Sequence, residues 1–132
     1  VSIDAACGET YEENRRGGGW KRLMDNLSYL CSLRHDPDTN VDAVWLNFVV
    51  QKNNYQEMEH FVQLAETIGA DAVEFQKLTN WGTFCEQEYL ERDVFHQENP
   101  EYGAACETLK KLLKKGSTKI EIVQNILSPD MQ

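Results

Sequence analysis

From Trp20 onward the apolar residues fall at Trp20, Leu23, Met24, Leu27, Leu30 and Cys31. Steps of three and four gather side chains on one face of a helix, so this stretch predicts a helix with one buried side. It ends before Asp36-Pro37-Asp38, because proline has no N–H to donate and pushes its predecessor out of helical geometry. The run Ala43-Val44-Trp45-Leu46-Asn47-Phe48-Val49-Val50 is nearly all apolar without alternation, the pattern of a parallel strand covered on both faces. Asn53-Asn54 then supplies cap residues for a helix with apolar positions at Met58, Phe61, Val62, Ala65 and Ile68, closing at Gly69. Residues 72–76 read as the next strand. A strand, a helix and a strand over about thirty residues make one βαβ unit, and the right-handed crossover rule makes its strands parallel.

Before this unit lie a short strand-like opening, Val1-Ser2-Ile3-Asp4, a polar stretch over 9–15, and Gly17-Gly18-Gly19, a break in regular structure. The chain opens on that strand with no methionine or lead-in segment, which suggests a piece of something longer. After Leu78, residues 79–99 are rich in aromatics, acids and turn formers, and predict an ordered loop with one short helix near 86–91. Pro100 suits the first turn of a following helix in which Tyr102, Ala105, Leu109 and Leu112 share a face. Lys110, Lys111, Lys114 and Lys115 complement the negative end of its dipole, and Gly116 stops it. Residues 119–126 predict a last strand with Ile120 and Ile122 on one face, and 128–132 a loose tail.

The length of 132 residues allows one domain with a real core, at 41% hydrophobic and 27% charged residues. A complete eight-unit barrel needs about 250 residues. Thirteen basic against 22 acidic residues give a net charge of −9, which repels phosphate backbones and anionic headgroups and argues against nucleic-acid and membrane partners. No apolar run nears the roughly 20 residues that cross a bilayer, and no signal-peptide pattern opens the chain, so the expected location is cytoplasmic. Cys7, Cys31, Cys85 and Cys106 are at least twenty residues apart, unlike the close pairs of zinc sites, and are expected as free, mostly buried thiols. Cys85, in the long loop, is the thiol to test for reactivity. His35, His60 and His96 are scattered without a partner histidine at helical spacing, so no metal site is expected.

Three stretches, taken together, resemble radical S-adenosylmethionine (radical SAM) enzymes related to the sulfatase-maturing and peptide-modifying groups. Ser2-Ile3-Asp4, then Glu9-Thr10-Tyr11-Glu12 and Arg15-Arg16-Gly17-Gly18, is similar to the family's fourth-strand motif, with Ala5 where a glycine usually follows the aspartate. Phe48-Val49-Val50-Gln51-Lys52-Asn53-Asn54, leading into Glu57, Phe61, Leu64-Ala65 and Ile68-Gly69-Ala70-Asp71, resembles the fifth strand and helix. Val73-Glu74-Phe75-Gln76-Lys77-Leu78 with Trp81-Gly82 resembles the sixth strand and its exit loop. The match covers residues 1–84 in order, leaving 85–132 as loop, helix and final strand of one domain over 1–132. The implied fold is α/β, a partial (β/α) barrel with parallel strands, part of a TIM-barrel-like domain. The implied cofactors of the whole enzyme are S-adenosylmethionine and a [4Fe–4S] cluster. The family's CxxxCxxC cluster loop has no counterpart in the chain, which by itself is then expected to bind neither and to be inactive.

The resemblance assigns Ser2 and Asp4, at a strand's carboxyl end, to ribose or substrate contacts, and Arg15 to the methionine carboxylate, which its planar fork of donors suits. The plain alternatives are a strand end with a helix cap and a solvated helix-end arginine. Gln51 and Asn53 would face a ligand over the barrel mouth, with Asn54 as helix cap. Lys77 and Trp81, with Gly82, would wall an adenine site, unless Trp81 packs its loop over the barrel. Glu86, Glu88, Glu91, Glu98 and Glu101 read as solvated faces. Two functions compete: the carboxyl-terminal part of a radical SAM enzyme, partnered by the missing amino-terminal half of the barrel, or a stand-alone partial barrel binding a nucleoside or a protein. In either case open strand edges and an apolar face around Trp45, Phe48 and Phe75 predict a homo-oligomer.

Overall fold

The computed structural model describes residues 1–131, apart from the side chain of Asp130. The elements run α1 (Gly8–Asn14), α2 (Trp20–Ser32), β1 (Trp45–Val50), α3 (Met58–Ile68), β2 (Ala72–Lys77), α4 (Glu86–Arg92), α5 (Tyr102–Lys115) and β3 (Glu121–Gln124), with short 3-10 turns at Leu33–His35, Tyr55–Glu57 and Pro129–Met131. The fold is α/β, with three parallel strands alternating with helices in an open sheet ordered β1-β2-β3. The opening residues extend that sheet beside β1: Asn47 N–H donates to Val1 O (2.7 Å) and Ile3 N–H donates to Asn47 O (3.0 Å).

Successive strands are neighbours, and right-handed crossovers between such strands collect their helices on one face. Leu46, Phe48 and Val50 of β1 and Val73 and Phe75 of β2 point there and are buried. Phe48 meets Phe61 of α3 at 4.7 Å between ring centroids and Phe75 at 5.6 Å, a tilted cluster in which each ring pair contributes about 0.5–1.5 kcal/mol beyond its buried area. Leu27 and Cys31 of α2 and Ala105, Leu109 and Leu112 of α5 complete the core. Gly69 ends α3 in the left-handed region, at φ 82°, where a side chain would be strained.

The other face differs from expectation. In β1 the pattern alternates, with Trp45 exposed and Asn47 and Val49 half-buried, so the run read as covered on both sides is covered on one. In register with them stand Ala72, Glu74 and Gln76 of β2, then Glu121 and Val123 of β3. Phe48 and Phe75 lie under the helices, and of the apolar patch expected on the open face Trp45 alone remains there, 42% exposed. Three boundaries also move. The helix after Pro100 starts at Tyr102, the last strand is confined to Glu121–Gln124, and the tail makes a 3-10 turn, with Gln132 outside the described residues. The short helix near 86–91 is present as α4, and Gly116 ends α5 at φ 61°. Two thiols, Cys31 and Cys106, are buried, whereas Cys7 and Cys85 are exposed. Among the described residues no helix is long and apolar enough to cross a membrane.

Asp71 fastens the two ends of the βαβ unit. Its Oδ2 accepts from Val44 N–H (2.7 Å) and its Oδ1 from the Arg34 guanidinium. Burial raises its pKa, but the Val44 amide and Arg34 together outweigh burial and hold the carboxyl below its ordinary value. A depressed folded pKa means that this stabilisation is complete above the unfolded aspartate value of about 3.9 and is lost as pH falls through the lower folded value. Asp71→Asn is therefore expected to lower stability at neutral pH and to flatten the acid limb of urea midpoints, measured between about pH 5 and about pH 2, relative to the unaltered chain. A parallel acid limb in the variant would assign that limb to other carboxylates.

Candidate functional site

The carboxyl end of the sheet is built around Asp4. A parallel ladder would have Val49 N–H donate to the carbonyl of Ile3, but the chain turns out at Asp4, which sits at φ 63°, and Val49 N–H donates to Asp4 Oδ1 instead (2.8 Å). Aspartate tolerates that region better than most side chains. Its Oδ2 accepts from Arg15 Nη2 (2.8 Å), and the Ser2 hydroxyl, 3.1 Å from Oδ1, also accepts from Arg15 Nη2 (3.1 Å). The Asp4 carbonyl accepts from Asn14 Nδ2 (2.9 Å) and Asn54 Nδ2 (3.0 Å), and Asn53 Nδ2 donates to Asn14 Oδ1 (2.8 Å).

Ser2, Asp4, Arg15 and Asn53 thus belong to one hydrogen-bonded network. Asp4 is 9% exposed while the Arg15 side chain is 43% exposed, so the carboxylate anchors and the guanidinium faces outward. Asn54 does not cap the following turn with its side chain. Fully buried, it accepts from Gln51 N–H (2.7 Å) and donates to Val49 O (3.0 Å), closing the end of β1 onto the opening segment.

A cleft of about 870 Å³ lies over this edge, lined among others by Asp4, Gln51, Lys77 and Trp81. Asn53 faces a second cleft of about 680 Å³ that shares Glu13, Gln51 and Arg92 with the first. Lys77 is not free within the wall: its Nζ stands 3.3 Å from Oδ2 of the fully buried Asp93 and 3.4 Å from Phe95 O, tying the 79–99 excursion to the end of β2. The Tyr89 phenol donates to Leu78 O (3.1 Å); burial first, and then the neighbouring Asp93 carboxylate, push its pKa up. Trp81 does not pack its loop over the sheet. It is 88% exposed, at the rim of the larger cleft.

Asn54, Glu57 and Asp93 are absent from the sequence-derived candidate set. Glu57 accepts from Ala6 N–H (2.7 Å) and from the Thr10 hydroxyl, docking the start of α1 onto the turn before α3. Asn54 and Glu57 reach partners in the opening segment, dozens of residues away, and Asp93 reaches back to Lys77; the one local signal was the polar pair Asn53-Asn54 directly after an apolar strand. Cys85 stands exposed just before α4.

No protein-family model, curated protein or solved structure matches this chain. The likeness to radical SAM enzymes therefore rests on the motif residues alone.

The two charged members of the network should separate on substitution. Asp4→Ala leaves the Val49 amide and Arg15 without their acceptor, and is expected to cost about 2–4 kcal/mol. Arg15→Ala removes a partly solvated partner and is expected to cost at most about 1 kcal/mol. Urea unfolding monitored by circular dichroism measures both, and equal losses would mean that Asp4 is not the anchor.

Proposed function

We propose that the chain is the carboxyl-terminal part of a radical SAM (β/α) barrel and supplies the polar wall against which S-adenosylmethionine lies. The observation that carries this reading is the Ser2–Asp4–Arg15 cluster at the carboxyl edge of a sheet whose strands follow one another in chain order. Barrels have that strand order and place their chemistry at that edge. The open face, with Asn47, Glu74 and Gln76 half-buried, is then the inner wall, and the amino-terminal half of the barrel is the partner that covers it.

The chain's own residues do not fit the cluster. Its four cysteines are free and dispersed, and among the described residues no three histidines, cysteines or carboxylates converge as a metal site. The cysteines that hold the cluster belong to the amino-terminal half, and the chain alone is inactive. The residues do fit the organic cofactor, whose bound form is the source of the adenosyl radical. Arg15 turns its remaining donors toward solvent, where they suit a carboxylate. The Ser2 hydroxyl and the Gln51 and Asn53 carboxamides suit ribose hydroxyls. Asp4, whose oxygens already accept bonds within the chain, acts on the ligand by orienting Arg15 and Ser2.

A second reading, a stand-alone module that binds a nucleoside or a protein, is favoured by the fully presented Trp81 ring. In both readings the unpaired edges beside residues 1–3 and β3 favour pairing with a second copy when no other half is present.

The in-frame coding sequence upstream of Val1 is expected to carry CxxxCxxC. Upstream sequence without those cysteines removes the radical reading and leaves the stand-alone module. Reconstituted anaerobically with iron and sulfide, the chain is expected to take up no stoichiometric cluster, and a stable [4Fe–4S] paramagnetic signal at one per chain would overturn its assignment as the cluster-free half.

A further inference from the structure

We propose that the groove between α4 and the turns over 96–100 docks a basic polypeptide segment, seating one apolar side chain on Leu90 with a lysine or arginine two positions to either side. The groove has a volume of about 460 Å³ and shares no residue with the cleft over the sheet edge, so its occupant is independent of the cofactor reading. Its floor is apolar. Leu90 is half-buried and stands outside the hydrophobic core, Pro100 is exposed beside the groove, and the His96 side chain completes the wall. An apolar side chain left half in water at a concave surface gains by being covered.

The walls are preformed. Asn99, itself buried, donates from Nδ2 to Leu90 O (2.9 Å) and Glu91 O (3.3 Å), fastening the turn to the end of α4. Within the turn His96 N–H donates to Asp93 O (3.0 Å), Asn99 N–H to His96 O (2.9 Å), and Glu98 N–H to His96 Nδ1 (3.3 Å). A groove that is already ordered loses less affinity to ordering when it is filled. The rim then sets the charge of the occupant. Glu86, Glu91 and Glu98 line the groove, and no lysine or arginine does. The neighbouring Glu88 and Glu101 are balanced by Arg92 and Lys52. Glu91 instead meets the Gln87 carboxamide (3.3 Å), and among the described residues Glu86 and Glu98 pair with no cation. Unbalanced carboxylates around an apolar floor fit a segment whose cations flank an apolar side chain. Glu86 and Glu91 lie five residues apart on α4, about 7.5 Å along its axis. An extended peptide carries side chains two positions apart on one side at about 7 Å, so the spacing suits a polypeptide better than a single amine.

The test titrates the full, isotope-labelled chain with the end-capped peptide Lys-Gly-Leu-Gly-Lys and follows backbone amides. Those of Leu90, Glu91 and Glu98 are expected to shift at millimolar peptide while those of Gln51 and Lys77 stay fixed. Replacing the peptide's leucine by serine is expected to weaken binding at least about fivefold. Glu98→Lys in the chain is expected to weaken it at least about threefold, and since Glu98 is exposed the rest of the amide spectrum should remain that of the folded chain. No shift at the groove with about 10 mM peptide would overturn the docking site. Equal binding of the serine peptide would reduce the groove to a set of carboxylates and overturn the apolar seat. Hexylammonium binding as tightly as the peptide would assign the groove to small amines and overturn the polypeptide. Shifts at Gln51 and Lys77 in place of those at the groove would put the peptide at the sheet edge and overturn the location.

Discussion

The left-handed turn at Asp4 is the constraint on which the carboxyl edge of the sheet depends. A non-glycine residue at positive φ costs on the order of 1 kcal/mol or more and persists where its surroundings fix it. Here they do so through both side chain and main chain. The carboxylate takes the amide that the ladder would have bound, and the carbonyl gathers Asn14 from the end of α1 and Asn54 from the turn after β1. One backbone turn thus closes the strand, docks α1 and places Arg15. Ala5 needs no glycine's freedom at its own position, because the left-handed residue is Asp4.

What was legible in the chain was whatever repeats locally. The apolar stripes of α2 and α3, the stop at Gly69 and the order strand, helix, strand all follow from the identity of near neighbours. The composition of β1 misled because Trp45 and Val49 are apolar yet stand on the open face; an all-apolar run reports total hydrophobicity, while coverage of its second face depends on what packs there. The final strand was overestimated for a related reason. Pairing with β2 supports it only over Glu121–Gln124, after which Gln124 Oε1 accepts from the amides of Ile126 and Leu127 and turns the chain away.

Site residues were legible to the extent that strand ends were. Ser2, Asp4, Gln51 and Lys77 are polar groups closing apolar runs, which in parallel α/β sheets is where ligands meet the fold. Their division of labour was not, because it is set by partners far away in the chain. Lys77 looks like a ligand contact until Asp93, sixteen residues on, is seen buried behind it. A buried carboxylate without that ammonium would be strongly unfavourable. The pair therefore anchors the long excursion first, and any ligand meets a lysine whose charge is already balanced.

The same balancing explains how an acidic chain can carry a nearly neutral cleft. The carboxylates that give the net charge are spread over exposed helix faces, several in i,i+4 pairs such as Lys21–Asp25 and Glu107–Lys111, where pairing contributes only tenths of a kcal/mol. At the sheet edge Arg15 and Lys77 are instead held by better-buried partners, Asp4 and Asp93. A wall of that kind offers hydrogen-bonding groups rather than net charge. It also needs a second wall to exclude water, since a half-open cleft leaves its polar groups hydrated and its contacts weak. The open face of the sheet, polar at Asn47, Glu74 and Gln76 and edged by Trp45, is suited to line such an enclosed space, whereas a core-forming surface would present the phenylalanines that this fold has turned toward its own helices.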